Sequence, residues 1–305
     1  MSGVPSARWL VANSYREDAE RRYRKGEWAG AETTQPSWFT LGPCGYMAIG
    51  LMRRLLAPRP GEFVLDVGGG RGVVLSYLLQ DRGAVGVLSD IAFEPLQDYA
   101  GMRVAGDAVA LPFTDGSFPK VVTSDLLEHL YPQDLPLAFA ELARVIAPGG
   151  RVVVHTSCYG WSLRRLGARL FGKGQGRLDG YDLQDEHHNR LTIAELVSLA
   201  KRAGLTLERA YYYKHFFQPL ARMVKTALLG GRGRCGGGGG KAVGLKAVGL
   251  KAAGLKAAGL KAAGGLRGRL IRILARGQAL FSTLDILFFG RVPGGAVVAG
   301  FARNK

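Results

Sequence analysis

The residues best suited to chemistry lie where an apolar run meets a cluster of glycines, Val64-Leu65-Asp66-Val67-Gly68-Gly69-Gly70-Arg71-Gly72. Glycine lets the backbone turn sharply and lets a ligand approach with no side chain in the way. A dinucleotide-binding G-x-G-x-x-G would need glycine or alanine at position 73, and Val73 stands there. The spacing is instead an acid followed by glycine at every second position: Asp66, Gly68, Gly70 and Gly72. Taken alone, such a turn is also what a structural loop uses. Asp66 could fix the turn by accepting backbone N–H bonds, or it could face a ligand.

Further acids follow at the ends of later apolar runs. Asp90 closes the second run, where a carboxylate at a strand's carboxyl end can accept hydrogen bonds from both hydroxyls of a ribose. Gly106-Asp107-Ala108 precedes Leu111-Pro112-Phe113 and Asp115-Gly116-Ser117-Phe118. Ser124-Asp125-Leu126-Leu127-Glu128-His129-Leu130 ends another run, and Glu141-Leu142-Ala143-Arg144-Val145 leads to Pro148-Gly149-Gly150. These pieces, in this order, resemble the class I S-adenosylmethionine-dependent methyltransferases, within the broad group that includes the ubiquinone and menaquinone biosynthesis enzymes. The resemblance covers residues 60–215 and resumes over 292–305. It implies S-adenosyl-L-methionine as cofactor, with Asp66, Gly68, Gly70 and Gly72 around its methionine part and Asp90 at the ribose. Asp107, with Ala108 beside it, would meet the adenine amino group. Asp125 would be a pocket residue or a cap on the next helix.

Methyl transfer from a sulfonium needs an acceptor lone pair or carbanion in line with the methyl–sulfur bond, and positioning with exclusion of water supplies much of the acceleration. A general base is required only where the acceptor loses a proton early. His129 and His188 are the candidate catalytic residues. His129, His155, His187 and His188 can each equally be structural, and the pair at 187–188 precedes Asn189-Arg190-Leu191-Thr192, near where acceptor-binding loops of such a fold converge. Ser124-Asp125-Leu126-Leu127 is not the Asn/Asp-Pro-Pro-aromatic tetrad of amino-methylating nucleic-acid enzymes, and no cysteine stands there to attack a pyrimidine. A small-molecule or lipid-like acceptor, methylated on oxygen or carbon, is therefore the expected partner. Cys44, Cys158 and Cys235 lie far apart, without metal-ligand or redox spacing, so no metal is expected and a reducing compartment suits them.

The elements that must hold these residues follow from periodicity. Strands are predicted at 63–67, 84–89, 102–105, 119–124 and 151–156, with helices over 72–80 and 135–147 between them. Pro148-Gly149-Gly150 is the expected stop of the second helix. Thr192 and Glu195 form a capping box for the helix that follows. Further strands are predicted at 206–213 and 295–302. Alternation of nearly continuous apolar strands with helices means a doubly wound, mostly parallel α/β sheet covered on both faces. The resemblance makes it Rossmann-like, with an antiparallel last strand. The expected organisation is a helical cap over the acceptor side (1–60), a core (61–214), a basic insertion (215–290) and the final strand (291–305).

That insertion carries the chain's charge. The net formal charge is +17, yet residues 1–208 hold equal numbers of basic and acidic residues. Between Glu208 and Asp285 there are 15 Lys/Arg and no acid. Five glycines at 236–240 precede a pentapeptide repeat over 241–265, KAVGL in its first unit, whose period does not match a helix. Amphipathic stretches at 215–229 and 266–289 flank it. In the second, Leu266, Leu270, Ile273, Leu274, Phe281, Leu284 and Phe288 share one face. Such stretches could lie on an anionic membrane with their basic residues toward head groups, or they could form a lid over the acceptor pocket. The N-terminus shows no basic start followed by an apolar run, and no uncharged stretch reaches the ~18 residues of a spanning helix. The expected location is cytoplasmic, with peripheral contact on the inner membrane face. An RNA or DNA methyltransferase gripping phosphates with the basic segment and a non-catalytic scaffold of the same fold are the competing readings.

Overall fold

The apolar runs pair side by side, each opening after a polar turn and ending at the residues singled out above. The computed structural model describes residues 42–162, 187–216 and 283–303, with the shorter pieces 14–17, 20–21, 24, 166, 174–175, 178–179 and 280. Strands β1 (Phe63–Val67), β2 (Val85–Asp90), β3 (Met102–Ala105), β4 (Phe118–Ser124) and β5 (Ile146–Ser157) run parallel. A short hairpin, β6 (Gly174–Gln175) and β7 (Leu178–Asp179), stands apart. β8 (Leu205–Tyr213) and β9 (Ala296–Arg303) complete a seven-stranded sheet in the order β3-β2-β1-β4-β5-β9-β8. β9 pairs antiparallel with both β5 and β8, as the resemblance implied.

Helices α1 (Gly42–Leu56), α2 (Val73–Leu79) and α3 (Phe93–Leu96) cover one face, and α4 (Leu135–Val145) and α5 (Ile193–Arg202) the other. Strand alternation divides the core between them. Val64, Leu88, Val122, Val153 and Val298 pack with Met52 and Leu56 of α1 and Leu75 and Leu78 of α2. Leu65, Val67, Val121, Val152, Val154 and Phe301 pack with Phe139 and Leu142 of α4 and Leu196 and Leu199 of α5. Strands buried on both sides can be apolar throughout, which is why they read as continuous runs.

Local signals set the helix ends. Thr192 Oγ1 accepts from Glu195 N at 3.2 Å while Glu195 Oε2 accepts from Thr192 N at 2.9 Å, the capping box expected at the start of α5. The stop of α4 differs from expectation. The helix ends at Val145, and Pro148, Gly149 and Gly150 lie inside the extended β5. Proline lacks the N–H that a helix needs but is tolerated near the beginning of a strand, and the β4–β5 register shifts between Phe118 and Lys120 there.

The insertion leaves the sheet after β8 and returns before β9. Its repeat at 241–265 and most of the amphipathic stretches at 215–229 and 266–289 lie outside the described residues. Its two ends are clasped together. Asp285 accepts from His215 N at 2.7 Å and from Phe216 N at 2.9 Å, and His215 Nε2 lies 2.6 Å from the Val292 carbonyl. Asp285 is fully buried in the helix over 283–289, whereas Leu287 and Phe288 are 72% and 69% exposed. Of the described residues of the apolar face read from periodicity, Phe288 is thus turned outward and Leu284 is half-buried. The clasp is the reason: Asp285 must point inward to meet the two amides. Among the described residues, no helix is long and apolar enough to cross a membrane.

Candidate active site

The strand order reverses between β1 and β4, and in open sheets of this kind ligands bind beyond the carboxyl ends of the strands at such a reversal. Of the residues proposed to hold the cofactor, all but Asp66, which lies within β1, stand at those ends. Gly68, Gly70 and Gly72 follow β1, Asp90 is the last residue of β2, Asp107 and Ala108 follow β3, and Asp125 follows β4.

The glycine loop separates residues that the spacing treats alike. Gly68, Gly70 and Gly72 all have positive φ, from 54° to 73°. A Cβ at Gly68 would press on Leu126, and one at Gly72 on Tyr99. At Gly70 a Cβ would meet nothing within 4 Å, so this side of the loop is open. Gly69, between the spaced positions, is held by packing: its Cβ would come 2.6 Å from Asp66 Oδ2 and closer still to Leu88. The loop is tied to β2 by its backbone, with Gly68 N donating to the Ser89 carbonyl at 2.8 Å. It is also tied through Asp90, whose Oδ2 accepts from Gly70 N at 2.8 Å and whose Oδ1 accepts from Ala92 N at 2.9 Å. Burial raises the Asp90 carboxyl above the ordinary range, and the amides donated by Ala92 and Gly70 work against that rise.

Asp66 lies beneath the loop. It shares the α1–α3 face with Val64, is fully buried, and neither carboxylate oxygen has a hydrogen-bond partner. No backbone N–H fixes the turn through it. Burial first, and the nearby Asp90 charge second, push its carboxyl up to about 7. Asp107 makes a local turn, its Oδ1 accepting from Val109 N at 3.2 Å and its carbonyl from Ala110 N at 2.9 Å, with Ala108 buried between.

The motifs that follow Asp107 form a clamp. Arg144 donates to both Glu141 oxygens at 2.7 and 2.8 Å, to Asp115 at 2.8 Å, and to the carbonyls of Phe113 and Leu111 at 2.6 and 2.9 Å. Glu141 also accepts from Leu111 N at 2.6 Å. Planar guanidinium geometry suits this set of acceptors. The LPF, D-x-S-F and E-L-A-R elements thus hold the loop after β3 against α4.

Past β4 the side chains meet one another. Asp125 adopts φ 53°, a region unfavourable for residues other than glycine. It caps no helix: the next element is a single 3-10 turn, Leu127–His129, whose N-cap is Leu126, and His129 ends that turn rather than lying within a helix. The Asp125 side chain is 60% exposed. The protein mass around it acts to raise its carboxyl, but the facing His155 imidazole outweighs this, with Lys214 and His129 adding to it. The net result holds the carboxyl well below the ordinary range. Ser124 Oγ lies 2.8 Å from His155 Nδ1 and 3.3 Å from Asp125 Oδ2. His155, buried, also hydrogen-bonds the Tyr213 hydroxyl through Nε2. Lys214 follows Tyr213 at φ 64°, with Nζ 5.5 Å from that ring's centroid.

Beside this group, Glu128 is buried and ties the 3-10 turn to β5, accepting from Thr156 Oγ1 at 2.6 Å and Ser157 N at 3.1 Å. Asn189 Nδ2 donates to the carbonyls of Leu127 and Leu130, both at 2.7 Å. The two histidine candidates are brought near each other by these ties. His129 meets His187 edge to face at 5.0 Å, His188 stacks on Tyr131 at 4.2 Å, and Tyr15 packs tilted against Tyr131 at 5.4 Å. Ser124 and Glu128 stood in a quoted motif with no role assigned, and Tyr213 and Lys214 in none, because their contacts arise from strands far apart in the chain. His155 stood among the histidines, with nothing to separate it from the others.

Comparison with known proteins agrees with this geometry. A family model described as a methyltransferase domain matches residues 45–210, more than half of the chain. The ubiquinone/menaquinone biosynthesis C-methyltransferase of Paracoccus denitrificans is 37% identical over 111 residues, covering 32% of this chain and 44% of that protein. A demethylmenaquinone methyltransferase of Beutenbergia cavernae is 41% identical over 104 residues, covering 32% of this chain and 42% of that one. The chain thus spans under half the length of these curated relatives. The structure of phosphoethanolamine N-methyltransferase 2 of Haemonchus contortus, in complex with S-adenosyl-L-methionine, is similar in fold, with TM-score 0.55 at 16% identity over 99% of this chain and 61% of that one. With the match to the family model spanning β1 to β8 and the glycine loop, the chain belongs to the methyltransferase-domain family.

Proposed function

We propose that the protein transfers a methyl group from S-adenosyl-L-methionine to oxygen or carbon of a small, lipid-soluble acceptor of the quinol type, working at an anionic membrane surface. The observation that carries the donor half is the open side of the loop at Gly70 with the Asp90 carboxylate behind it. These residues fit a nucleoside with a free ribose: each Asp90 oxygen has accepted one backbone proton and keeps a second lone pair for a hydroxyl. Gly68, Gly70 and Gly72 would line the methionine part, and Asp107 and Ala108 would lie by the adenine. Asp66, under the loop, would support it from below. When bound, the sulfonium supplies an activated methyl group, and the chain's part is to orient the acceptor and exclude water.

The acceptor class is supported by the relatives, which are named for quinone substrates. The aromatic group of Tyr15, Tyr131 and His188 near the 3-10 turn supports it too. Membrane contact is supported by the exposed Leu287, Phe288, Val292 and Trp161 near the insertion's exit, together with its run of basic residues. Each basic residue near an anionic surface contributes ~1 kcal/mol.

Three measurements test this. Calorimetry with S-adenosyl-L-methionine should show saturable binding, and labelled methyl should pass to a reduced naphthoquinol; absence of cofactor binding sinks the enzyme reading. Co-sedimentation with anionic liposomes should be strong at low salt, and no binding there removes the membrane. Transfer to RNA with a steep salt dependence that is lost on deleting 230–268 would instead favour a nucleic-acid acceptor.

A further inference from the structure

We propose that Asp125, Ser124, His155 and Tyr213 form a proton relay that takes up the proton an acceptor loses as it is methylated. The proposal rests on the reading of the acceptor as a quinol or other C–H or O–H acid, which must give up a proton for every methyl it gains.

Three strands contribute. Alternation puts Ser124, His155 and Tyr213 on the same face as Val122, Val153 and Val298, so the three side chains meet beneath the carboxyl edge of the sheet. Asp125 stands at the outer end of this line, 60% exposed, with Oδ2 3.5 Å from His155 Nδ1. Tyr213 stands at the inner end, buried. The backbone is bent to allow it: β4 and β8 each end in a residue that reaches His155, and each is followed by a non-glycine residue in the left-handed region, Asp125 and Lys214. Such strain persists where the surroundings hold it. A histidine serving only to fill space would not need an exposed, strained carboxylate aimed at it.

The chemistry balances as follows. The acceptor's bond to hydrogen leaves its electron pair on the oxygen or carbon, which forms the new bond to methyl. The methyl–sulfur bond breaks with its pair going to sulfur, giving the neutral thioether. The proton passes to Asp125. From there it reaches His155 Nδ1 by way of Ser124 Oγ, which receives it and gives up its own. In this relay Nε2–H donates to the Tyr213 oxygen, which leaves Nδ1 of the neutral ring as the acceptor that receives the proton. The product state is an Asp125 carboxylate beside a His155 imidazolium. The proton then returns to water through exposed Asp125. Asp125 is the catalytic residue here, because it meets the acceptor; Ser124, His155 and Tyr213 act through it.

The pH dependence follows from the groups around the ring. Ser124 faces it from β4 with Asp125 just beyond, Tyr213 faces it from β8, and Lys214 and His129 act on Asp125. Val297 and Val298, next to it on β9, do not titrate. Activity should fall as acid fills the relay in advance.

The test uses the full chain with S-adenosyl-L-methionine and 1,4-naphthohydroquinone as acceptor. His155→Gln should lower kcat by roughly 10²-fold or more, remove the acidic limb of the kcat profile, and leave the cofactor's dissociation constant within about twofold. Tyr213→Phe should lower kcat less and displace the same limb. An acidic limb unchanged in His155→Gln, at whatever height, would overturn the relay. The imidazole titration of His155, read by nitrogen NMR in the cofactor complex, should move to lower pH in Asp125→Asn; a titration that stays put also overturns it. If the wild-type chain methylates no naphthohydroquinone, the acceptor reading fails, and the NMR titration alone then decides the relay.

Discussion

The two halves of the sheet's carboxyl edge are built by different rules. On the β1–β3 side, acids meet backbone: Asp90 holds Gly70 N and Ala92 N, Asp107 holds Val109 N, and the glycine loop hangs from the Ser89 carbonyl. On the β4–β8 side, side chains meet side chains: Ser124 with His155, His155 with Tyr213, Glu128 with Thr156, and His188 with Tyr131. Backbone contacts constrain residue type at short, fixed spacing, so the first half forms a pattern shared by proteins that use one cofactor. Side-chain contacts between distant strands are free to vary, as an acceptor site must when acceptors differ.

Four measurements would break or sharpen this contrast. The largest effect is expected at Gly70→Val. The new side chain points into open space but sits at φ 54°, so unfolding should stay cooperative at some cost in stability, while the affinity for S-adenosyl-L-methionine falls by roughly 10³-fold, about 4 kcal/mol by calorimetry. Unchanged affinity would mean that the loop does not face the cofactor.

Asp66 gives the next effect, through pH. Its carboxyl is raised to about 7 from an ordinary 3.8. A raised acid prefers its protonated form in the folded state, so its contribution is fully present below ~4 and is lost as pH rises through about 7. Denaturation of Asp66→Asn and the parent should therefore diverge between pH 4 and 8, the variant gaining on the order of 3 kcal/mol relative to the parent at the alkaline end. Parallel curves would show that the burial of Asp66 has no such cost.

On the other side, Glu128→Ala strands a buried hydroxyl and a buried amide. It should cost about 2 kcal/mol in chemical denaturation while leaving cofactor affinity within about twofold. A loss of affinity would join the two halves that the geometry separates. Thr192→Ala should have the smallest effect, about 1 kcal/mol of stability from the lost cap, with neither half disturbed.

Legibility differed element by element. The predicted strands matched β1 to β5, β8 and β9 to within a few residues, apart from the early start of β5, because apolar strands buried on both faces leave an unmistakable run. The start of α5 was legible because a capping box is a local, two-residue device. The end of α4 was not: proline and glycine mark where a helix stops without saying that a strand takes over at once. The outward turn of Phe288 could not be read from periodicity either, since Asp285 faces inward to meet His215 and Phe216, about 70 residues earlier in the chain.

The sequence by itself determined the doubly wound core, the family, and the place of the glycine loop and of Asp90 at the strands' carboxyl ends, since those depend on spacings of a few residues and on the alternation of elements. Only the tertiary structure separated open Gly70 from packed Gly68, Gly69 and Gly72, and put Asp66 under the loop rather than in it. It alone assembled Asp125, Ser124, His155 and Tyr213 from three strands. The physical reason is range. Glycine turns, caps and strand ends are local consequences of backbone sterics and hydrogen bonding, whereas a line of polar side chains beneath a sheet edge exists only once β4, β5 and β8 have found their order and register.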